Sequence, residues 1–125
     1  MGDFPTIDEV HEILNEIADE IPVEYFKDLN EGIVLLPGYK LHPESRSQDK
    51  LYIMGEYSRS FTGRNIKIYY GSFKRVYKGV SLEVLRERLR ETLLHELTHH
   101  LESMAGRRDL EIEDYKELER YKRRR

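Results

Sequence analysis

Cysteine is absent from the 125 residues, which excludes disulfides, thiolate zinc clusters and cysteine nucleophiles together. Also missing is any apolar run near the ~20 residues that a membrane-spanning helix needs, so no membrane partner is expected. A surplus of either charge is lacking too. Lys and Arg number 21 against 24 Asp and Glu, a formal net of -3. A protein that neutralises many phosphates usually shows a basic excess, so nucleic acid is not expected as a partner. The one basic run, the terminal "RYKRRR", has the composition of a solvated chain end. Internal repeats, low-complexity tracts and linker-like stretches are lacking, and the length suits one domain, 1–125, around one core. The opening "MGDFPTIDEV" has neither the basic nor the apolar region of a secretory leader, which with the missing cysteines points to the cytoplasm.

What is present is charge, 36% of residues, and a clear periodicity. In "PTIDEVHEILNEIADEI", Thr6 and Glu9 have capping-box spacing, and Ile7, Val10, Ile13, Leu14 and Ile17 recur at helical intervals. Pro22 ends that helix and starts a short second one, "PVEYFKDLN", which stops at Gly32. "GIVLLP" has the continuous apolar character of a strand buried on both faces. A polar loop follows from Gly38 to Lys50. "LYIMGEY" and "IKIYYG" are then predicted as strands joined across "SRSFTGRN", a long hairpin connection. "SFKRVYKGV" suits an irregular turn of helix. Ser81 caps a long helix that runs to about Met104 and stops at Gly106, and Asp114 and Glu117 open a last polar helix. The predicted class is α+β: a small three- to four-stranded mixed sheet packed by an N-terminal helix and the long helix.

The long helix has two distinct stripes. At about 100° per residue, Leu82, Leu85, Leu89, Leu93, Leu97 and Met104 form an apolar face for the sheet. His95, His99 and Glu102 fall together on another. "HELTH", residues 95–99, is the HExxH pattern, in which two imidazoles one turn apart can reach one zinc ion. Glu96 is then the general base acting on a metal-activated water whose pKa zinc lowers to ~7. His100 falls on the apolar stripe and is expected as a hydrogen-bonded core residue. His11 and His42 are remote from the motif in sequence. Glu102, three residues after His99, leans back toward the ion as a candidate third ligand.

The stretch "LRETLLHELTHHLE", with "EIPVEYFKDLNEGIVLLP", "LYIMGEY" and "IKIYYGSF" ahead of it, resembles the small bacterial minimal zincins. These are zinc-dependent proteases with a matrix-metalloprotease-like domain. The resemblance implies a zincin-like fold, Zn2+ held by the two motif histidines, and a peptidase role on a peptide or protein substrate. The family pattern is similar to HExxHxxGxxD, with the aspartate as third ligand. Here Glu102 occupies the glycine position and Ala105 the aspartate position, while "GRRD" repeats Gly-x-x-Asp four residues later. Asp109 is therefore the alternative third ligand, displaced about 6 Å along the helix axis. Glu111, Glu113 or a later carboxylate complete the options.

A chain this short has little room for deep pockets, so a substrate is expected to dock as an extended segment on a sheet edge. "IKIYYG" is the candidate edge, and Tyr69 or Tyr70 the candidate oxyanion donor, with sheet packing as their plainer role. Two alternatives use the same parts: a metal-dependent amidase on a small substrate, and a non-catalytic zincin-like metal-binding interaction module. Oligomeric state is not set by the sequence.

Overall fold

Helix α1, Ile7–Asp19, begins where its capping box places it. Thr6 Oγ1 accepts from the Glu9 N–H at 3.2 Å, and Glu9 Oε1 accepts from the Thr6 N–H at 3.1 Å. Its apolar face buries Val10, Leu14 and Ile17. The computed structural model describes residues 3–123, with side chains from residue 3 to residue 106. The short helix after Pro22 is a single 3-10 turn, Val23–Phe26, and Gly32 takes a left-handed φ of 70° where the chain enters the sheet.

Five strands follow: β1 Ile33–Leu36, β2 Lys40–Leu41, β3 Tyr52–Ile53, β4 Gly55–Arg59 and β5 Arg64–Tyr69. The main sheet has the order β1-β5-β4, with β1 parallel and β4 antiparallel to β5. The strands β2 and β3 form a separate antiparallel pair. The architecture is α+β with a small mixed sheet, as the periodicities predict.

Several finer expectations are corrected. "IKIYYG" is the central strand, not an edge: β5 takes a partner on each side, and Ile66 and Ile68 are fully buried. Among the described residues "GIVLLP" is an edge strand paired only with β5, and its exposed Val34 shows that it is not buried on both faces. The polar stretch after Gly38 contains β2, and "LYIMGEY" divides into β3 and β4 at Met54. The hairpin connection shrinks to residues 60–63, since pairing continues out to Arg59 and Arg64. "SFKRVYKGV" contributes to a regular helix, α2, Tyr70–Tyr77.

Helix α3 spans Leu82–Arg123. Ser81 caps it, its Oγ accepting from the Val84 N–H at 3.2 Å. Leu85, Leu89, Leu93 and Leu97, one turn apart, are at most 1% exposed and form the core with Ile66, Ile68, Phe73 and the apolar face of α1. Leu82, in the first turn, lies beyond the sheet and is exposed, and Met104 is half-buried. The helix does not stop at Gly106, and no separate helix starts at Asp114. Glycine costs about 1 kcal/mol in a helix interior, and the strong helix formers around it, with no proline after Met104, outweigh that. Two ion-paired arginines tie α3 to α1: Arg86 to Glu16 at 2.6 Å and Arg90 to Glu20 at 2.5 Å.

Candidate metal centre

Strand β4 and helix α3 build the site between them. Side chains alternate along a strand, so Gly55, Tyr57 and Arg59 face α3 together with their β5 partners Ile68, Ile66 and Arg64. Gly55 sets the approach at one end. A Cβ there would lie 2.9 Å from Thr92 Cγ2 and 3.1 Å from the Lys67 carbonyl oxygen, so a side chain would push the helix off the strand. From Thr92 the facing helix row runs through Glu96 and His100 to Ser103, about one turn at a time.

His100 is fully buried, as its place on the apolar stripe predicts. Its Nε2–H donates to the Lys27 carbonyl at 2.8 Å, and its Nδ1 is hydrogen-bonded to the Tyr57 hydroxyl at 2.9 Å. A carbonyl oxygen can only accept, so Nε2 carries a proton. Both ring nitrogens are occupied, so His100 is a structural residue and not a ligand.

His95 and His99 stand on the exposed shoulder of the same helix segment. Their rings meet edge to face, with centroids 4.7 Å apart and planes at 87°, and their Nε2 atoms are 3.2 Å apart. Tetrahedral zinc with Zn–N bonds of about 2.0–2.1 Å requires two nitrogen donors roughly 3.3 Å apart. The observed separation is close to that spacing. Glu96 lies between them in sequence but turns inward and is 7% exposed. Burial raises its carboxyl above the ordinary value; charge on His95 and His99 and the Tyr57 backbone oppose this, and Glu56 adds to it.

Glu102 approaches His99 from the other side of the ring. Its Oε2 is 3.8 Å from Nδ1, not beside the Nε2 pair, and its side chain is largely exposed. The distance is too long for a hydrogen bond. Asp109, Glu111 and Glu113 lie outside the residues whose side chains are described. Among the described residues no group of three or more His, Asp or Glu side chains converges on one point. His11 and His42 make local contacts only, with Asn15 and with the Glu44 N–H.

The two tyrosines singled out by sequence are placed elsewhere. Tyr69 alternates onto the sheet face opposite α3, where its hydroxyl donates to Glu56 Oε1 at 2.5 Å. Tyr70 opens α2, and its hydroxyl donates to the Pro5 carbonyl at 2.6 Å. Neither joins the His/Glu cluster. The tyrosine that does face the helix is Tyr57, which the sequence reading passed over. Its strand, "GEYSR", carries no apolar alternation that would mark it.

A trough follows the open side of β4. One part, of about 700 Å³, is bounded by Tyr57, Arg59, Glu96, His99 and Ser103. A second, of about 400 Å³, lies toward Thr92 and His95. Ile53, Gly55 and Glu96 border both, so Glu96 stands at the junction. The strand's backbone is available along this trough. Ile66 donates its N–H to Gly32 on the β1 side at 3.0 Å, so its partner Tyr57 is in a non-hydrogen-bonded pair and turns its own N–H and C=O outward.

No family model matches the chain, and no curated protein matches it. Among solved structures, a conserved hypothetical protein from Thermus thermophilus is similar with a TM-score of 0.69. The two are 33% identical over 82% of this chain and 99% of that one.

Proposed function

The chain belongs to the same family as the Thermus thermophilus protein, and within that family we propose that it is a zinc-dependent peptidase of zincin-like design. The observation that carries this reading is the 3.2 Å separation of the His95 and His99 Nε2 atoms, with the buried Glu96 carboxylate beside them. When bound there, zinc supplies a Lewis acid and lowers the pKa of a water to ~7.

The protein's own groups do the rest. Glu96 accepts a proton from the attacking water and passes it to the departing amine. A carboxyl whose affinity for protons is raised by burial is suited to holding one briefly. The Tyr57 N–H is directed at the Glu96 carboxylate, and the outward Tyr57 C=O pairs with an extended substrate and lays its scissile carbonyl over Glu96. The edge that receives the substrate is thus β4 in place of β5. Tyr57, through His100, ties that edge to the helix carrying the histidines. The third donor comes from α3 beyond His99. Glu102 would take that role, or Asp109 would.

Zinc content and affinity test the reading. The native chain, supplied with zinc and dialysed, should retain about one ion per molecule, and His99→Ala none. An outer carboxylate typically contributes 10–100-fold to metal affinity, so a larger loss in Glu102→Ala assigns it as a ligand. The same larger loss in Asp109→Ala assigns Asp109. A native protein that retains no zinc contradicts the proposal.

A further inference from the structure

Arg59 borders one end of the trough, and Arg64 stands beside it, with no carboxylate in ion-pair contact with either among the described residues. Arg59 closes β4 and Arg64 opens β5, and the two are register partners on the face toward α3. Arg64 Nη1 donates to the Tyr57 hydroxyl at 2.7 Å and to Ser103 Oγ at 2.5 Å. Arg59 Nη1 donates to the same Ser103 Oγ at 3.2 Å. All of these acceptors are neutral hydroxyls. By contrast, Arg86, Arg88 and Arg90 of α3 each have a glutamate within ion-pair distance. Among the described residues Arg59 and Arg64 have none.

A guanidinium carries five N–H donors in a planar fork suited to a carboxylate. Among the described residues, Arg59 and Arg64 together leave most of theirs unengaged. Arg64 is also half-buried, and a cation withdrawn from water without a counter-charge carries a desolvation cost that an incoming anion offsets. Arg59 and Ser103 both border the larger part of the trough.

Strand and helix give the same spacing. Arg59 is two residues beyond Tyr57, about 6.7 Å along the strand. Ser103 is four beyond His99, about 6 Å along the helix. A peptide laid on the open side of β4 puts every second side chain toward α3. The residue opposite Arg59 is then two positions from the one opposite Tyr57. Glu96, at the junction of the two parts of the trough, repels a carboxylate that the arginine end attracts, which favours one register over its neighbours.

We propose that Arg59 and Arg64 form a carboxylate-binding subsite that selects an extended peptide with an acidic side chain or free C-terminus about two residues from the position over Tyr57. The inference rests on the peptidase reading for the identity of the ligand, but it is tested by binding and not by turnover.

The probes are fluorescein-labelled octapeptides on the zinc-loaded Glu96→Gln chain, followed by anisotropy. One set carries a single Glu or Gln scanned along an amidated peptide, and another compares free and amidated C-termini. At one position, or at the free terminus, the carboxylate should improve affinity about tenfold, as a charge-assisted hydrogen bond does. Arg59→Gln should reduce that preference to about twofold or less, while Arg59→Lys keeps part of it. Which set shows the effect identifies the source of the carboxylate. Equal binding of acidic and neutral peptides, no peptide binding, or a preference unchanged in Arg59→Gln overturns the subsite. Preferential binding of peptides that the native protein never cleaves contradicts the peptidase and leaves the subsite standing. Cleavage without preference does the reverse.

Discussion

Glu56 shows how a single residue is tuned here. Burial pushes its carboxyl up, yet Lys40 Nζ at 2.7 Å and the Tyr69 hydroxyl at 2.5 Å both donate to Oε1, and the net shift is below the ordinary 4.5. A folded pKa below the unfolded one adds stability above the unfolded value, and that stability is lost as pH falls through the folded value. The native chain should therefore be more stable than Glu56→Gln to urea near neutral pH, with the gap closing on the acid side of 4.5. A gap independent of pH would contradict this. Other single residues were legible in advance. The i, i+4 spacing sets His95 and His99 apart from His100, because helical arithmetic needs only sequence. Tyr57, Arg59 and Arg64 were not, since "GEYSR" shows no contrast of apolar and polar residues. What marks them is the row of α3 that faces them.

At the scale of elements, start signals were the most readable. Thr6 with Glu9 and Ser81 cap their helices as their positions suggest, because a cap depends only on neighbours in sequence. Strand order depends on tertiary pairing, so "GIVLLP" and "IKIYYG" exchanged the roles of edge and centre. Helix ends fall between these cases. Gly106 has the form of a stop, yet α3 continues through it. No heavy atom lies within 4 Å of where its Cβ would sit. Gly106→Ala should therefore raise stability by roughly 0.5–1 kcal/mol, through helix propensity and a less free unfolded chain. Urea denaturation measures it, and a loss of stability would mean that Gly106 takes the left-handed conformation of a helix stop.

In the whole molecule, one open strand edge and one helix face meet along a single trough. Proteins usually blunt such an edge with charge, a bulge or a cover, since exposed N–H and C=O groups invite pairing. Here Glu56 and Arg59 are the charged residues of the strand, and the backbone of Tyr57 faces outward beside Glu96. The small sheet and single core allow no deep pocket, so selectivity has to come from the strand edge and the groups that border it. The central claim is that Glu96 moves the proton for a zinc-dependent hydrolysis. The most direct measurement is cleavage of a mixed peptide library by zinc-loaded native protein beside zinc-loaded Glu96→Gln. The account predicts that both hold zinc, that the native protein cleaves, and that the variant loses at least about 10²-fold in rate. Equal cleavage by the two, or none by zinc-loaded native protein, would contradict it.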